Sequence, residues 1–131
     1  AGTPSGCASR ACRPRWQGCC RHGWTAWLGH APGADGVSPH AAPARMADLA
    51  GLPPTWIGSG ALDLFLEEDM DYALRLIRAG VAVDLAVWPG AFHGFDQSPD
   101  APVARRANAD RQAALARGLA AARGLPLMAV N

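Results

Sequence analysis

Lysine is missing from this 131-residue chain: all 12 basic residues are arginine, set against 11 acidic ones, for a formal charge of +1. Acids balance the arginines everywhere outside the first segment, so no surface suited to general nucleic-acid binding is expected. Long apolar runs are also lacking. Gly, Pro, Arg or Asp interrupts each one well short of the roughly 20 residues that a membrane helix needs, and no membrane span is expected. Ala1 to Cys20 contains no apolar block of the kind found inside a secretion signal, so the chain reads as cytoplasmic. No acidic residue precedes Asp35, while residues 1–22 hold all four cysteines and four of the arginines. Cys7, Cys12, Cys19 and Cys20, with His22 nearby, form no pair of C-x-x-C knuckles, and adjacent cysteines rarely ligate one ion together. Neither a zinc site nor a disulfide framework is expected, and nothing implies a cofactor.

Half of the residues are apolar and 18% are charged, which suits one globular unit or part of one. Residues 1–22 show neither helical nor strand periodicity and read as irregular. Residues 23–49 carry loop chemistry, with one short apolar helix candidate around Trp24 to Leu28. A β-rich run from Thr55 to Ser59, between Pro53-Pro54 and Gly60, predicts a buried strand. Glu67 to Ala79 predicts a helix, with acids Glu67, Glu68, Asp69 and Asp71 at its start, Arg75 and Arg78 at its end, and Gly80 as its stop. Met70, Ala73, Leu74 and Ile77 share one face at helical spacing and are expected to pack on a sheet. Ala82 to Trp88 predicts a second strand, with Val83, Leu85 and Val87 alternating on one face. A last helix is expected from Ser98 as N-cap, with Pro99 at its first position, to about Arg123.

Strand, helix, strand, helix is an α/β pattern, and the crossover from Thr55 to Trp88 fits a right-handed parallel βαβ unit. Two parallel strands alone leave faces and edges uncovered, so part of the sheet is expected to be missing. In such a unit the loops after both strands lie along one sheet edge, where α/β proteins place their ligands. Asp63 follows the first strand and His93 the second. Strands about 4.8 Å apart let a carboxylate in one loop reach an imidazole in the next, fix its tautomer, and leave the other ring nitrogen to act as a base. Spacing alone equally allows Asp63 to cap the following helix and His93 to satisfy a loop carbonyl.

The run Leu52-Pro53-Pro54-Thr55-Trp56-Ile57-Gly58-Ser59-Gly60-Ala61-Leu62-Asp63-Leu64-Phe65, then Leu74 to Val81, then Trp88-Pro89-Gly90-Ala91-Phe92-His93-Gly94-Phe95, closely resembles the C-terminal end of the hormone-sensitive-lipase-like α/β-hydrolases, an esterase and lipase family. The similarity extends upstream through Trp24 to Leu28 and the loop Val37 to Pro43, covering about residues 23–123. It implies a partial α/β-hydrolase fold: the last two parallel strands with their helices, and an open sheet edge. On that basis residues 23–131 are the C-terminal part of such a domain, while residues 1–22 carry no resemblance. It also implies catalytic roles for Asp63 and His93, a small ester as substrate, and no metal or cofactor.

The family's G-x-S-x-G nucleophile elbow and H-G-G-G oxyanion motif do not occur in these 131 residues. Gly58-Ser59-Gly60 is no elbow, because Ile57 and Ala61 stand two residues either side of Ser59, which is expected to be strand-end structure. The chain is therefore expected to carry the acid and base of a serine hydrolase without its nucleophile, and to hydrolyse no ester alone; a truncated or frame-shifted coding sequence would produce such a break near residue 22. The competing class is a non-catalytic module that associates with itself or a partner through the open sheet edge. Trp56 and Trp88 are expected in the core, and His30 and His40 as structural or solvated loop residues. Phe92 and Phe95 flank His93 and would shield it from water, which suits a catalytic loop and equally suits simple packing.

Overall fold

A computed structural model describes residues 14–31 and 34–123 of the chain, and the cysteines Cys7 and Cys12 lie outside them. Helix α1 spans Pro14–Leu28, strand β1 Thr55–Gly60, helix α2 Leu66–Arg78, strand β2 Val83–Trp88 and helix α3 Pro102–Ala122, with single 3-10 turns at Pro43–Arg45 and Phe95–Gln97. β1 and β2 pair in parallel from Thr55 opposite Val83 to Gly60 opposite Trp88. The fold is α/β with an open two-stranded sheet.

Side chains alternate across the strands, and each face takes its own helix. Ile57 and Val83 pack with α2 in a cluster built on Leu49, Leu76 and Val81. Trp56, Ala86 and Trp88 face the other way, into a cluster with Ala91, Phe95, Ala104 and Ala107 that α3 covers. Both tryptophans of the strands are thus core, their ring centroids 6.0 Å apart. At the end of α2, Gly80 takes φ +82°, and the Val81 amide donates to the Leu76 carbonyl at 3.0 Å. That is the expected glycine stop, in which a buried Val81 meets Leu76 across the helix end.

Three details differ from the sequence expectations. Helix α1 begins at Pro14, whereas residues up to 22 read as irregular and only Trp24 to Leu28 as helix. Its glycines and scattered apolar residues hide the period, although a proline at the first helical position is itself a start signal. On α2 the sheet-facing stripe is Tyr72, Ala73, Leu76 and Ala79, while Met70, Leu74 and Ile77 are 41%, 46% and 51% exposed. The apolar arc of this helix is wide, and hydropathy alone does not choose which part of it turns inward. Helix α3 starts at Pro102, with Ala101 as its cap, rather than at Pro99 after Ser98. The ring of Pro102 disfavours helical backbone at the residue before it, and Ala101 is accordingly extended at φ −74°, ψ 126°.

Val83, Leu85 and Val87 alternate on the α2 side of the sheet, where Leu85 and Val87 are each 40% exposed. The loop ahead of β1 is held by Arg75 of α2, whose guanidinium donates to the carbonyls of Ala44 and Met46.

Candidate active site

The C-terminal ends of β1 and β2 place two loops side by side, and backbone bonds lace them together. The Ala61 amide donates to the Trp88 carbonyl and the Leu62 amide to the Ala91 carbonyl, each at 2.9 Å. This close approach needs Gly60, where a Cβ would lie 2.7 Å from the Ala91 carbonyl carbon and closer still to its oxygen.

From these loops Asp63 and His93 meet. His93 Nδ1 lies 3.1 Å from Asp63 Oδ2 and 3.2 Å from Oδ1. A carboxylate accepts only, so the ring nitrogen is the donor and carries the proton. Asp63 is mostly buried, its side chain 11% exposed against 48% for His93. The Phe65 amide donates to Asp63 Oδ1 at 2.9 Å, which fixes the carboxylate against the start of α2. Asp63 thus accepts from the imidazole and closes a turn just ahead of α2, whose N-cap, Phe65, makes no side-chain cap bond. Phe65 also meets the imidazole edge-on, with centroids 5.4 Å apart and planes at 72°.

Phe65 is thus an aromatic neighbour of His93 reached across the sheet edge. Phe92 is 59% exposed, and Phe95 is buried against Trp88 with centroids 5.7 Å apart. Of the two readings for the flanking pair, Phe95 follows simple packing, in the cluster with Trp88, Ala104 and Ala107. Ser59 is 2% exposed in extended strand and has no place in an elbow.

A cavity of about 360 Å³ opens beside the pair, lined among others by Ser59, Asp63, Phe65, Asp69, His93, Asn108 and Arg111. Asp69 is a member that sequence reasoning took only for a helix-start acid. Burial pushes its carboxyl above the usual aspartate range; the Ser59 hydroxyl beside it favours the charged form, Asp63 opposes it, and His93 favours it. Ser59 Oγ nevertheless completes no hydrogen bond of good geometry. Asp69 lies one turn ahead of the inward residues Tyr72 and Ala73, a placement that hydropathy alone does not reveal. Among the described residues no group of three or more His, Cys, Asp or Glu side chains is arranged to hold a metal ion, and no helix is long and apolar enough to cross a membrane.

Comparison with known proteins places this geometry in a family. The model of the α/β-hydrolase fold matches residues 14–97. The carboxylesterase NlhH of Mycobacterium tuberculosis is 39% identical over 74 residues, which cover 56% of this chain and 23% of that protein. Among solved structures, a bacterial heroin esterase superposes with a TM-score of 0.64 at 45% identity, covering 68% of this chain and 28% of the other. Esterase LipW from Mycobacterium marinum superposes with a TM-score of 0.65 at 39% identity, covering 73% and 30%. The chain therefore spans about a quarter of the length of the carboxylesterase it matches, and the family match includes residues 14–22, where motif reading found no resemblance. The chain belongs to the α/β-hydrolase family, as a partial chain of its hormone-sensitive-lipase-like branch.

Proposed function

We propose that this chain supplies the acid and base of a carboxylic-ester hydrolase of the serine type. The contact of Asp63 with His93 Nδ1, 3.1 Å from one carboxylate oxygen and 3.2 Å from the other, carries the reading. In the reaction a serine attacks the ester carbonyl and His93 Nε2 takes its proton. The serine–carbon bond forms, the alcohol leaves with the proton that His93 returns, and water repeats the cycle on the acyl group. Asp63 fixes the tautomer and stabilises the imidazolium. The nucleophile and the oxyanion donors come from another polypeptide segment, since neither G-x-S-x-G nor H-G-G-G occurs in the 131 residues.

Two measurements test this. The chain alone is expected to hydrolyse a short-chain p-nitrophenyl ester no faster than buffer does; serine-dependent turnover lost in His93→Ala would overturn its incompleteness. Mixed with a segment from the same family that carries both motifs, it is expected to restore turnover, which His93→Ala abolishes and Asp63→Asn cuts on the order of 10³-fold or more. Restored turnover that survives both substitutions would refute the assigned roles.

A second reading, association with another copy through the sheet edge, rests on β1. Among the described residues this strand pairs only with β2, and Thr55–Gly60 contains no charge or proline to discourage a further strand. β2, in contrast, carries Asp84, bonded to Arg117. Light scattering decides: a concentration-dependent dimer supports this reading, and a monodisperse monomer counts against it.

A further inference from the structure

Resting on the roles proposed for Asp63 and His93, we infer that Asn108, held by Arg111, is a positioning residue that fixes the His93 loop against α3. The His93 loop is bracketed by glycines with left-handed backbone, Gly90 at φ +72° and Gly94 at φ +78°. Glycine populates these angles at little cost, and between them one backbone bond, from the Phe95 amide to the Phe92 carbonyl at 3.0 Å, spans His93. Its near side is tied through the Ala91 carbonyl to Leu62. Its far side is the 3-10 turn Phe95–Gln97, closed by the Gln97 amide on the Gly94 carbonyl at 3.1 Å, and from this turn side-chain ties run to α3.

Asn108 Nδ2 donates to the Asp96 carbonyl at 2.9 Å. Arg111 Nη2 donates to Asn108 Oδ1 at 2.7 Å, and Arg111 Nη1 to the Asp96 carboxylate at 3.3 Å. Three side chains and one carbonyl make a closed ring. Arg111 supplies only donors, so its bond to Asn108 dictates which end of the amide is oxygen and turns the other end, the donor, onto the loop. Asn108 is half-buried one turn after Ala104, and Phe95 anchors the turn in the core cluster that holds Ala104 and Ala107. The exposed Asp96–Arg111 pair contributes little stability by itself, its side chains being 36% and 53% exposed. Its effect is geometric, because the ring sets the position of a backbone three residues from His93.

The test reads the His93 ring by nitrogen NMR on the intact chain. The parent is expected to show the Nδ1–H tautomer with slow exchange of that proton. Asn108→Ala is expected to speed this exchange about tenfold, the equivalent of one lost hydrogen bond against opening. Arg117→Ala breaks a bond from the same helix to β2, away from the loop, and is expected to leave the exchange at the parent rate. Parent-like exchange in Asn108→Ala overturns the inference, and so does equal acceleration in Arg117→Ala, which would mean general loosening of α3. Should Asn108→Ala fail to fold, Arg111→Ala decides, with faster exchange expected and an unchanged rate refuting. Asp63→Asn separates the two levels: a slow Nδ1–H that survives it refutes the acid–base pair itself, whereas one that Asp63→Asn abolishes and Asn108→Ala spares refutes only the positioning role.

Discussion

Gly60→Ala is the sharpest test of how the two loops are held. The new methyl would stand 2.7 Å from the Ala91 carbonyl carbon, nearer to the oxygen, and 3.2 Å from the Ala91 Cβ, where ordinary contact begins at 3.4 Å. The obstruction is backbone, so relief requires a main-chain shift of about 1 Å, since a rotamer change cannot provide it. That same carbonyl accepts the Leu62 amide at 2.9 Å, and a shift of this size breaks the bond. The lost bond costs about 1 kcal/mol and the overpacking about 1–3, giving a destabilisation of about 2–4 kcal/mol. Urea unfolding followed by tryptophan fluorescence should show the midpoint falling by about 1–2 M, given a slope of about 2 kcal/mol per molar. The Asp63–His93 contact should loosen as well, with loss of the Nδ1–H tautomer. Gly118→Ala on α3, where the methyl meets open space, serves as the control and should gain about 0.5–1 kcal/mol. A Gly60→Ala midpoint within about 0.3 M of the parent would refute the argument that this glycine is required by close approach.

Leu76 is fully buried between Leu49 and Val81, and Leu76→Ala should cost about 2–5 kcal/mol in the same assay; a loss below this range would mean that α2 collapses onto the gap. Asp69 makes stability depend on pH. Its native carboxyl holds a proton more tightly than the unfolded value of 3.8 allows, so the folded state is favoured in acid and loses that advantage as pH rises through the raised native value. Asp69→Asn should therefore be more stable than the parent at about pH 7 and equal to it at about pH 3, and a difference that persists in acid would contradict the assignment. Arg75→Ala removes charged donors to the carbonyls of Ala44 and Met46 and should cost about 1–3 kcal/mol. Limited proteolysis should then cut first among residues 34–46, and unchanged cutting would show that another contact holds this loop.

Much of the framework was legible because each element carries punctuation. Prolines and glycines bracket β1 and β2, acids and arginines mark the two ends of α2, and the order of elements alone brings the Asp63 and His93 loops to one edge. What escaped depends on contacts across the layers. Met70, Leu74 and Ile77 form as good an apolar stripe as Tyr72, Ala73 and Leu76, and only the sheet decides between them. Asp69 looks in sequence like any acid of a first turn, and its rotation toward the cavity follows from that same decision. Asn108 and Arg111 sit 15 and 18 residues after His93, in a helix whose start was misplaced by the competition between Pro99 and Pro102. Phe65 was passed over for Phe92 and Phe95, because neighbours in the chain are easier to see than neighbours across a sheet edge.

The parallel pairing of β1 with β2 has a consequence for the order of folding. Asp63 and His93 are separated by 30 residues, with all of α2 between them, and no local turn can bring them together. Their contact waits for a non-local closure, whose entropy is lost before any bond across the strands compensates it. The imidazole is thus a clock for sheet formation: its Nδ1–H signature should appear in a refolding chain with the pairing of the strands, after α2 has formed. A chain stalled with its helices formed and its strands apart would look substantially helical and yet hold neither half of its chemistry in place.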